Sequence, residues 1–595
     1  MKKTIIYLLA SFILCSVSRA SEPLIANIYA RDITFLNGQW NYIVDPFDNG
    51  LYDNKMQRLE KGFFENRKPR DVSERIEYNF DTSPLLKVPS DWNTQEEKLF
   101  FYEGTIWYKK DFTYTRGKNK VPHIYFGAVN YEAQVYVNGK YVGEHKGGYT
   151  PFNFNISDFV NEGRNFIVLR TNNARHKDNV PTSNMDWWNF GGITRDVLLV
   201  DLPAVFVQDY SIQLDKEKKG IIKGWVKLNQ SLSGQEITVE IPELSKVFKG
   251  LTDDNGFVSF EMKAQPTYWS SKDPKLYDVD IAQNGETVKD KIGFRTIKTE
   301  GKKILLNDEE VFLKGICLHE EAAYRNGRAW SKDEVRTLLM WVKELGCNFV
   351  RLTHYPHNEY MVRLAEEMGI MIWSEIPVYW TISWDNPETY QNAEKQLDEM
   401  IYRDKNRSAI IVWSIANETP HGESRDKFLK KLSDFARSKD DTRLISMAME
   451  VSKVSDNTNL VQDNMSEYVD IISFNQYLGW YNGTPEDCRT RKWEIPYDKP
   501  IIVSEFGGDA LQGYHGESNV RWTEEYQEEL YKATLEMLNK IDGLAGISPW
   551  VLKDFYSPRR QLPGIQDWFN RKGIVSDQGI KKKAFFVLQD WFKTK

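Results

Sequence analysis

Ile410-Ile411-Val412-Trp413-Ser414-Ile415-Ala416-Asn417-Glu418 is an almost wholly apolar run that stops abruptly at an amide and a carboxylate. Such a run reads as a strand buried on both faces, the kind found in parallel sheets covered by helices. A second run, Ile501-Ile502-Val503-Ser504-Glu505-Phe506-Gly507-Gly508, ends the same way, in a carboxylate followed by glycines. Working outward, strands are expected to end near His319, His354, Glu375, Glu418, Met449, Tyr477, Glu505 and Trp550. Amphipathic helices fall between them over 332–345, 358–368, 390–403, 426–438 and 524–539, and a last one over 582–592 closes the series. Eight strand–helix repeats from Thr299 onward predict a C-terminal (β/α)8 TIM barrel over 299–595, with Glu418 and Glu505 on its fourth and seventh strands. A doubly wound open sheet would alternate in the same way.

The chain before Thr299 has a different grammar. Ile106-Trp107-Tyr108 and Val135-Tyr136-Val137 are aromatic and β-branched, and Asn138-Gly139 then precedes Tyr141-Val142. Asn-Gly between such runs is a hairpin signal, because both turn residues take positive φ. An N-terminal β-sandwich over 21–202 is therefore expected. Short strands over 221–226, 237–241, 257–262 and 277–281, separated by Gly, Asp and Asn turns, suggest a small immunoglobulin-like β-sandwich over 203–298.

Residues 1–20 read as a signal peptide. Lys2 and Lys3 precede an apolar run from Ile5 to Cys15, and Ser18-Arg19-Ala20 offers small residues at a cleavage site. The expectation is an exported protein, periplasmic or secreted, with no membrane span once the signal is removed. Beyond it lie only Cys317, Cys347 and Cys488, an odd number without metal-ligand spacing, so no disulfide framework is expected.

The 595 residues carry 78 Lys and Arg against 85 Asp and Glu, a net charge of −7. That balance lacks the basic footprint of a nucleic-acid binder. The 13% aromatic content suits both sandwich cores and stacking on sugar rings. A carboxylate at the end of an apolar strand needs a partner or a task, because desolvating it is costly. Two such groups facing each other across a barrel mouth are what glycoside cleavage requires: a protonated acid for the leaving oxygen and an ionised nucleophile for the anomeric carbon. The structural alternative is a pair of buried ion pairs, with Arg351 as one partner.

Trp413-Ser414-Ile415-Ala416-Asn417-Glu418 and Ser504-Glu505-Phe506-Gly507-Gly508 resemble the acid/base and nucleophile motifs of glycoside hydrolase family 2. Gly104-Thr105-Ile106-Trp107-Tyr108-Lys109, Val137-Asn138-Gly139-Lys140-Tyr141-Val142-Gly143 and Asn189-Phe190-Gly191-Gly192-Ile193-Thr194-Arg195 resemble that family's jelly-roll domain. The resemblance implies a retaining mechanism with Glu418 as acid/base, Glu505 as nucleophile and Asn417 on the sugar 2-hydroxyl. His319 and His354, in motifs resembling the family's histidine stretches, would contact sugar hydroxyls. Asn475-Gln476-Tyr477-Leu478-Gly479-Trp480-Tyr481 resembles a family stretch in which Tyr477 orients the nucleophile and Tyr481 lies by the substrate. Trp550, at a strand end, would be a stacking platform. Neither histidine has metal-ligand spacing and no H-E-x-x-H is present, so neither metal nor cofactor is expected.

The sugar is addressed by Asn570-Arg571-Lys572-Gly573, which resembles the Asn-x-Lys-Gly motif of the family's β-glucuronidases. Asn570 and Lys572 would then hold a substrate carboxylate, and Asp186 would reach in from the jelly roll. Gln566 stands where several members carry an arginine, with Arg559 and Arg560 nearby, which keeps a β-galactosidase in play. The short connection after Pro377, carrying Tyr379, Trp380 and Trp384, suggests an open, aromatic-lined site suited to the ends of oligo- or polysaccharides. The expected partner is a carbohydrate, and a homo-oligomer is compatible with the sequence. A catalytically dead sugar-binding scaffold is the alternative from another class, opposed by the presence of both glutamates.

Overall fold

The computed structural model describes residues 22–59, 62, 64 and 68–595. The segment expected to be a signal peptide lies outside the described residues. Within the N-terminal part, a six-stranded sheet packs on a four-stranded one. The larger runs in the order Leu85–Val88, Gly38–Asp45, Thr105–Tyr114, Gly163–Asn172, Glu132–Val137, Lys140–Lys146, and the smaller is built on Val197–Pro203 and Lys120–Phe126. Alternate residues of each strand enter a shared core that includes Trp40, Trp92, Ile124 and Leu169. Asn138 and Gly139 turn the expected hairpin, with φ of 50° and 74°.

The next unit is a smaller sandwich of three and four strands, from Val207–Leu214 to Glu286–Ile292. Its core gathers Ile212, Val226, Val239, Val279 and Ile281.

The C-terminal sheet is parallel and closes on itself, which excludes the open doubly wound arrangement. Its strands are Phe349–Leu352, Met371–Glu375, Ile410–Asn417, Leu444–Met449, Ile472–Asn475, Ile501–Glu505 and Leu544–Ile547. The first strand is split: Leu313–Lys314 pairs with the eighth strand, and Cys317–Leu318 pairs with the second. Between the halves sits Gly315, where a Cβ would lie 2.4 Å from the Phe349 ring and 2.6 Å from the Ile547 carbonyl oxygen. Only glycine lets the barrel close there. Strand pairing stops at Leu318, Leu352 and Ile547, short of the expected ends at His319, His354 and Trp550. Those last residues leave the ladder and turn over the barrel mouth.

The third helix also departs from expectation. It begins at Pro387, not near Tyr390, because Asn386 caps it by accepting the Glu388 backbone N–H at 2.9 Å and proline fits its first turn. Trp384 packs edge-on against Phe428, 5.3 Å between ring centroids, and so does not join Tyr379 and Trp380 at the mouth.

The sandwich and the barrel share a core at that mouth. Tyr149, Met185 and Trp187 from the sandwich cluster with Cys317, Tyr355, Tyr379, Trp550 and Phe555 from the barrel. Arg195 reinforces the junction by donating to Glu320 at 3.1 Å and to the Pro356 carbonyl at 2.6 Å. No helix among the described residues is long and apolar enough to cross a membrane.

Candidate active site

Successive strand residues point to opposite faces, so Asn417 and Glu418 should diverge. They do not, because Glu418 takes a left-handed backbone conformation, φ 47°, just past the strand. Asn475, ending the sixth strand, donates through one Nδ2 to both: 3.2 Å to Asn417 Oδ1 and 2.9 Å to Glu418 Oε1. The other Glu418 oxygen accepts the Trp380 indole N–H at 2.9 Å. Trp380 is likewise left-handed, φ 54°, and its backbone is tied to the fourth strand by an N–H bond to the Asn417 carbonyl at 2.9 Å. Such conformations are strained for residues other than glycine, and here the surrounding ladder fixes them.

Glu505 is held from two sides. Tyr477 donates to its Oε2 at 2.6 Å and Arg351 to its Oε1 at 2.7 Å. Arg351 is wholly buried and also donates to Asn417 Oδ1 at 2.6 Å and to both oxygens of Glu375 at 3.1 and 3.2 Å. A planar guanidinium with five donors can serve three acceptors at fixed angles, which a lysine cannot do. The buried ion pair anticipated with Arg351 is therefore real, and it fixes one oxygen of Glu505 while Tyr477 fixes the other. His354 bonds Glu375 through Nδ1 at 2.7 Å and brings Nε2 to 3.7 Å from Glu505, while Trp550 stacks on its ring at 4.9 Å. His319 lies edge-on to Trp550 and accepts or donates at Nδ1 with the Tyr355 hydroxyl, 3.1 Å away.

Two buried polar atoms in this group have no hydrogen-bond partner: Asn417 Nδ2 and His319 Nε2. Buried polar atoms in folded proteins are almost always paired. Among the described residues, these two atoms are polar groups that the protein itself leaves unused.

A second cluster sits at the side of the mouth. Lys572, buried, donates to Asp509 at 2.9 Å and lies 4.9 Å above the Tyr481 ring. Asn570 accepts the Lys572 backbone N–H at 3.2 Å through Oδ1, and its amide nitrogen makes no hydrogen bond within the described residues. Arg560 bonds both Asp186 and, at 3.1 Å, the Tyr481 hydroxyl. Asp186 also accepts from Ser557 at 2.5 Å, so this sandwich residue is anchored to the barrel. Gln566 turns back on its own loop, accepting the Leu562 N–H at 3.3 Å.

Three family models cover nearly all of the described chain. Residues 33–203 match the sugar binding domain of glycosyl hydrolases family 2, 205–295 match a further model described as glycosyl hydrolases family 2, and 297–589 match the family's TIM barrel domain. The chain belongs to glycoside hydrolase family 2. It is 26% identical over 610 residues to a β-glucuronidase of Paenibacillus borealis, covering 94% of this chain and 96% of that one. It is 29% identical over 569 residues to a putative β-glucuronidase of Formosa agariphila, covering 85% of this chain but 66% of that relative's length. Among solved structures, a β-glucuronidase from an uncultured Clostridium superposes with a TM-score of 0.82 at 24% identity, over 97% of this chain and 100% of that one. A family 2 β-galacturonidase from Eisenbergiella tayi superposes with a TM-score of 0.79 at 25% identity, over 95% and 97%.

Within this glycoside hydrolase Glu418 and Glu375 are shifted in opposite directions. Burial first, and the charge of Glu505 second, push the Glu418 pKa up to about 7, against the pull of the Trp380 and Asn475 donors. Burial also works against the Glu375 carboxylate, but Arg351 and His354 outweigh it and hold Glu375 down at about 2. His319 is kept far below the usual imidazole range by burial and by His354, so it is a neutral ring at working pH. For Lys572, burial favours the neutral amine, and the Asp509 carboxylate reverses that and holds the charge.

Trp380 as a donor to Glu418, Asp509 beneath Lys572 and the Arg560–Asp186 pair were not legible in advance as site contacts. Asp509 follows Gly507-Gly508 in the loop just past the seventh strand, and that position was the one signal available for it.

Proposed function

We propose that this family 2 enzyme is an exo-acting, retaining β-glucuronidase that removes terminal β-D-glucuronic acid from oligo- or polysaccharides. Residues 1–20, with their basic start and apolar run, support action outside the cytoplasm. The observation that carries the sugar assignment is the buried Lys572 ammonium beside the unpartnered Asn570 amide. A charged donor backed by an amide, in a desolvated setting, favours a uronate over a neutral hexose. The β-glucuronidases similar over most of the chain support the same reading.

The chemistry follows from the two environments. Glu418, raised to about 7, carries the proton that the glycosidic oxygen receives. Glu505, fixed by Arg351 and Tyr477, supplies the electron pair to the anomeric carbon as the C–O bond breaks and the alcohol leaves. Glu418, now ionised, takes a proton from water, whose oxygen attacks the same carbon and releases Glu505. Retaining enzymes hold their carboxyl groups about 5–5.5 Å apart for this double displacement.

One observation favours a second reading. Lys572 already faces Asp509 and Arg560 already faces Asp186, so the cluster carries no excess positive charge, as a β-galactosidase site would allow. Hydrolysis of paired nitrophenyl β-glucuronide, β-galacturonide and β-galactoside separates these. The proposal expects kcat/KM on the glucuronide to exceed that on the galactoside by about 10- to 100-fold, from the roughly 1.5–3 kcal/mol of a charge-assisted contact. Preference for the galactoside would reject it, and sugar binding without turnover would point to a dead scaffold.

A further inference from the structure

The cations around the mouth differ in one respect. Arg351 is neutralised by Glu375 and Glu505, Lys572 by Asp509, Arg560 by Asp186 and Arg571 by Asp554 and Asp577. Arg559 forms no ion pair among the described residues, and its side chain is exposed. It is nevertheless held in place. Its Nη1 donates to Asn184 Oδ1 of the sandwich at 2.6 Å, and its guanidinium stacks on the Trp380 ring, 5.0 Å from the centroid.

Trp380 gives this cation its meaning. The edge of the same indole donates to Glu418 at 2.9 Å, and the indole also packs against Tyr379, 4.5 Å between ring centroids. Glu418 is the group that protonates the leaving oxygen, so whatever lies beyond that oxygen must pass over the residues around it. Arg559 stands one indole away from the acid, the scale of a single sugar ring, with unused N–H donors facing solvent.

We propose that Arg559, set by Trp380 and Asn184, forms a subsite on the leaving-group side that binds a sugar bearing a negative charge, either sulfate or carboxylate. This rests on the glycosidase reading of Glu418 given above. A planar guanidinium matches both oxyanions bidentately, and stacking on an aromatic face removes much of the entropy of holding it ready. The subsite makes the preferred substrate a glucuronide attached to an anionic sugar rather than to a neutral one.

The test compares glucuronosyl disaccharides whose second sugar is neutral, sulfated or a uronate, using wild type, Arg559→Ala and Arg559→Lys at low and high salt. Wild type is expected to favour at least one charged acceptor over the neutral one by about tenfold in kcat/KM, chiefly through KM. That ratio should collapse toward one in Arg559→Ala and fall partway in Arg559→Lys, and salt should weaken it. The sulfated and uronate arms tell which anion is preferred. A ratio near one in wild type, or a ratio untouched by Arg559→Ala, overturns the proposal. Should no glucuronide be hydrolysed at all, the substrate reading fails separately. The subsite is then read by NMR titration with galactose 6-sulfate and glucuronate against galactose, where equal binding to wild type and Arg559→Ala would overturn it.

Discussion

Lys572 and Asp509 form an ion pair 2.9 Å long in which each side chain is only 1% exposed. Removing one partner of such a pair leaves the other charge buried, at a cost of about 3–5 kcal/mol. Lys572→Ala will therefore lower stability as well as activity, and a drop in rate alone would say little. The informative quantity is the ratio of kcat/KM for nitrophenyl glucuronide to that for the galactoside. It is expected to fall by about 10- to 100-fold in Lys572→Ala and in Lys572→Ala/Asp509→Ala, the second variant lacking the orphaned carboxylate. An unchanged ratio in both would remove Lys572 from substrate recognition.

Glu418 makes the activity pH-dependent on the alkaline side. In the proposed mechanism its proton goes to the leaving oxygen, and its pKa is pushed up to about 7. The kcat/KM profile should fall as pH rises through about 7, and Trp380→Phe, which removes a donor that favours the ionised form, should move that fall to higher pH. A fall that stays put in Trp380→Phe would detach the indole from the acid.

The same shift acts on stability. The folded protein keeps the Glu418 proton up to about pH 7, whereas the unfolded chain releases it in the ordinary carboxylate range. Between those values the folded form binds more protons, so this group's contribution weakens as pH rises through the window. Glu418→Gln should raise unfolding free energy by about 3 kcal/mol at pH 8 and by almost nothing at pH 4, as read from denaturant melts. A gain of equal size at both values would contradict the assignment.

How much of this was readable from the chain alone depends on what each feature needs. Continuous apolar runs ending in Glu418 and Glu505 show a buried parallel strand and its polar tip, because both are local properties. The hairpin at Asn138-Gly139 is equally local, since two positive φ values demand such residues. Arg351 is different: it meets Asn417, Glu375 and Glu505 from three other strands, and only barrel closure brings those together. The Asp186–Arg560 pair likewise depends on how the sandwich docks. The overshoot at His319, His354 and Trp550 has another cause, since an apolar or aromatic residue continues a strand pattern in sequence even where the backbone has left the ladder.

Tyr477 donates to Glu505 at 2.6 Å and to no other acceptor among the described residues. Tyr477→Phe keeps the ring and loses a hydrogen bond to a charged group, about 1.5–3 kcal/mol. Steady-state kinetics should show kcat reduced by about 10- to 100-fold with KM changed far less. An effect confined to KM would make Tyr477 a substrate contact instead of an orienting group.

The central claim is that Glu505 becomes covalently attached to the sugar. Incubation with a 2-deoxy-2-fluoro-β-D-glucuronyl fluoride, followed by peptide mass spectrometry, tests it most directly. One glycosyl adduct on the peptide containing Glu505, absent from Glu505→Gln and still formed in Glu418→Gln, is the predicted result. An adduct on Glu418 or another carboxylate, or turnover of the reagent with inversion and no adduct, would contradict the account.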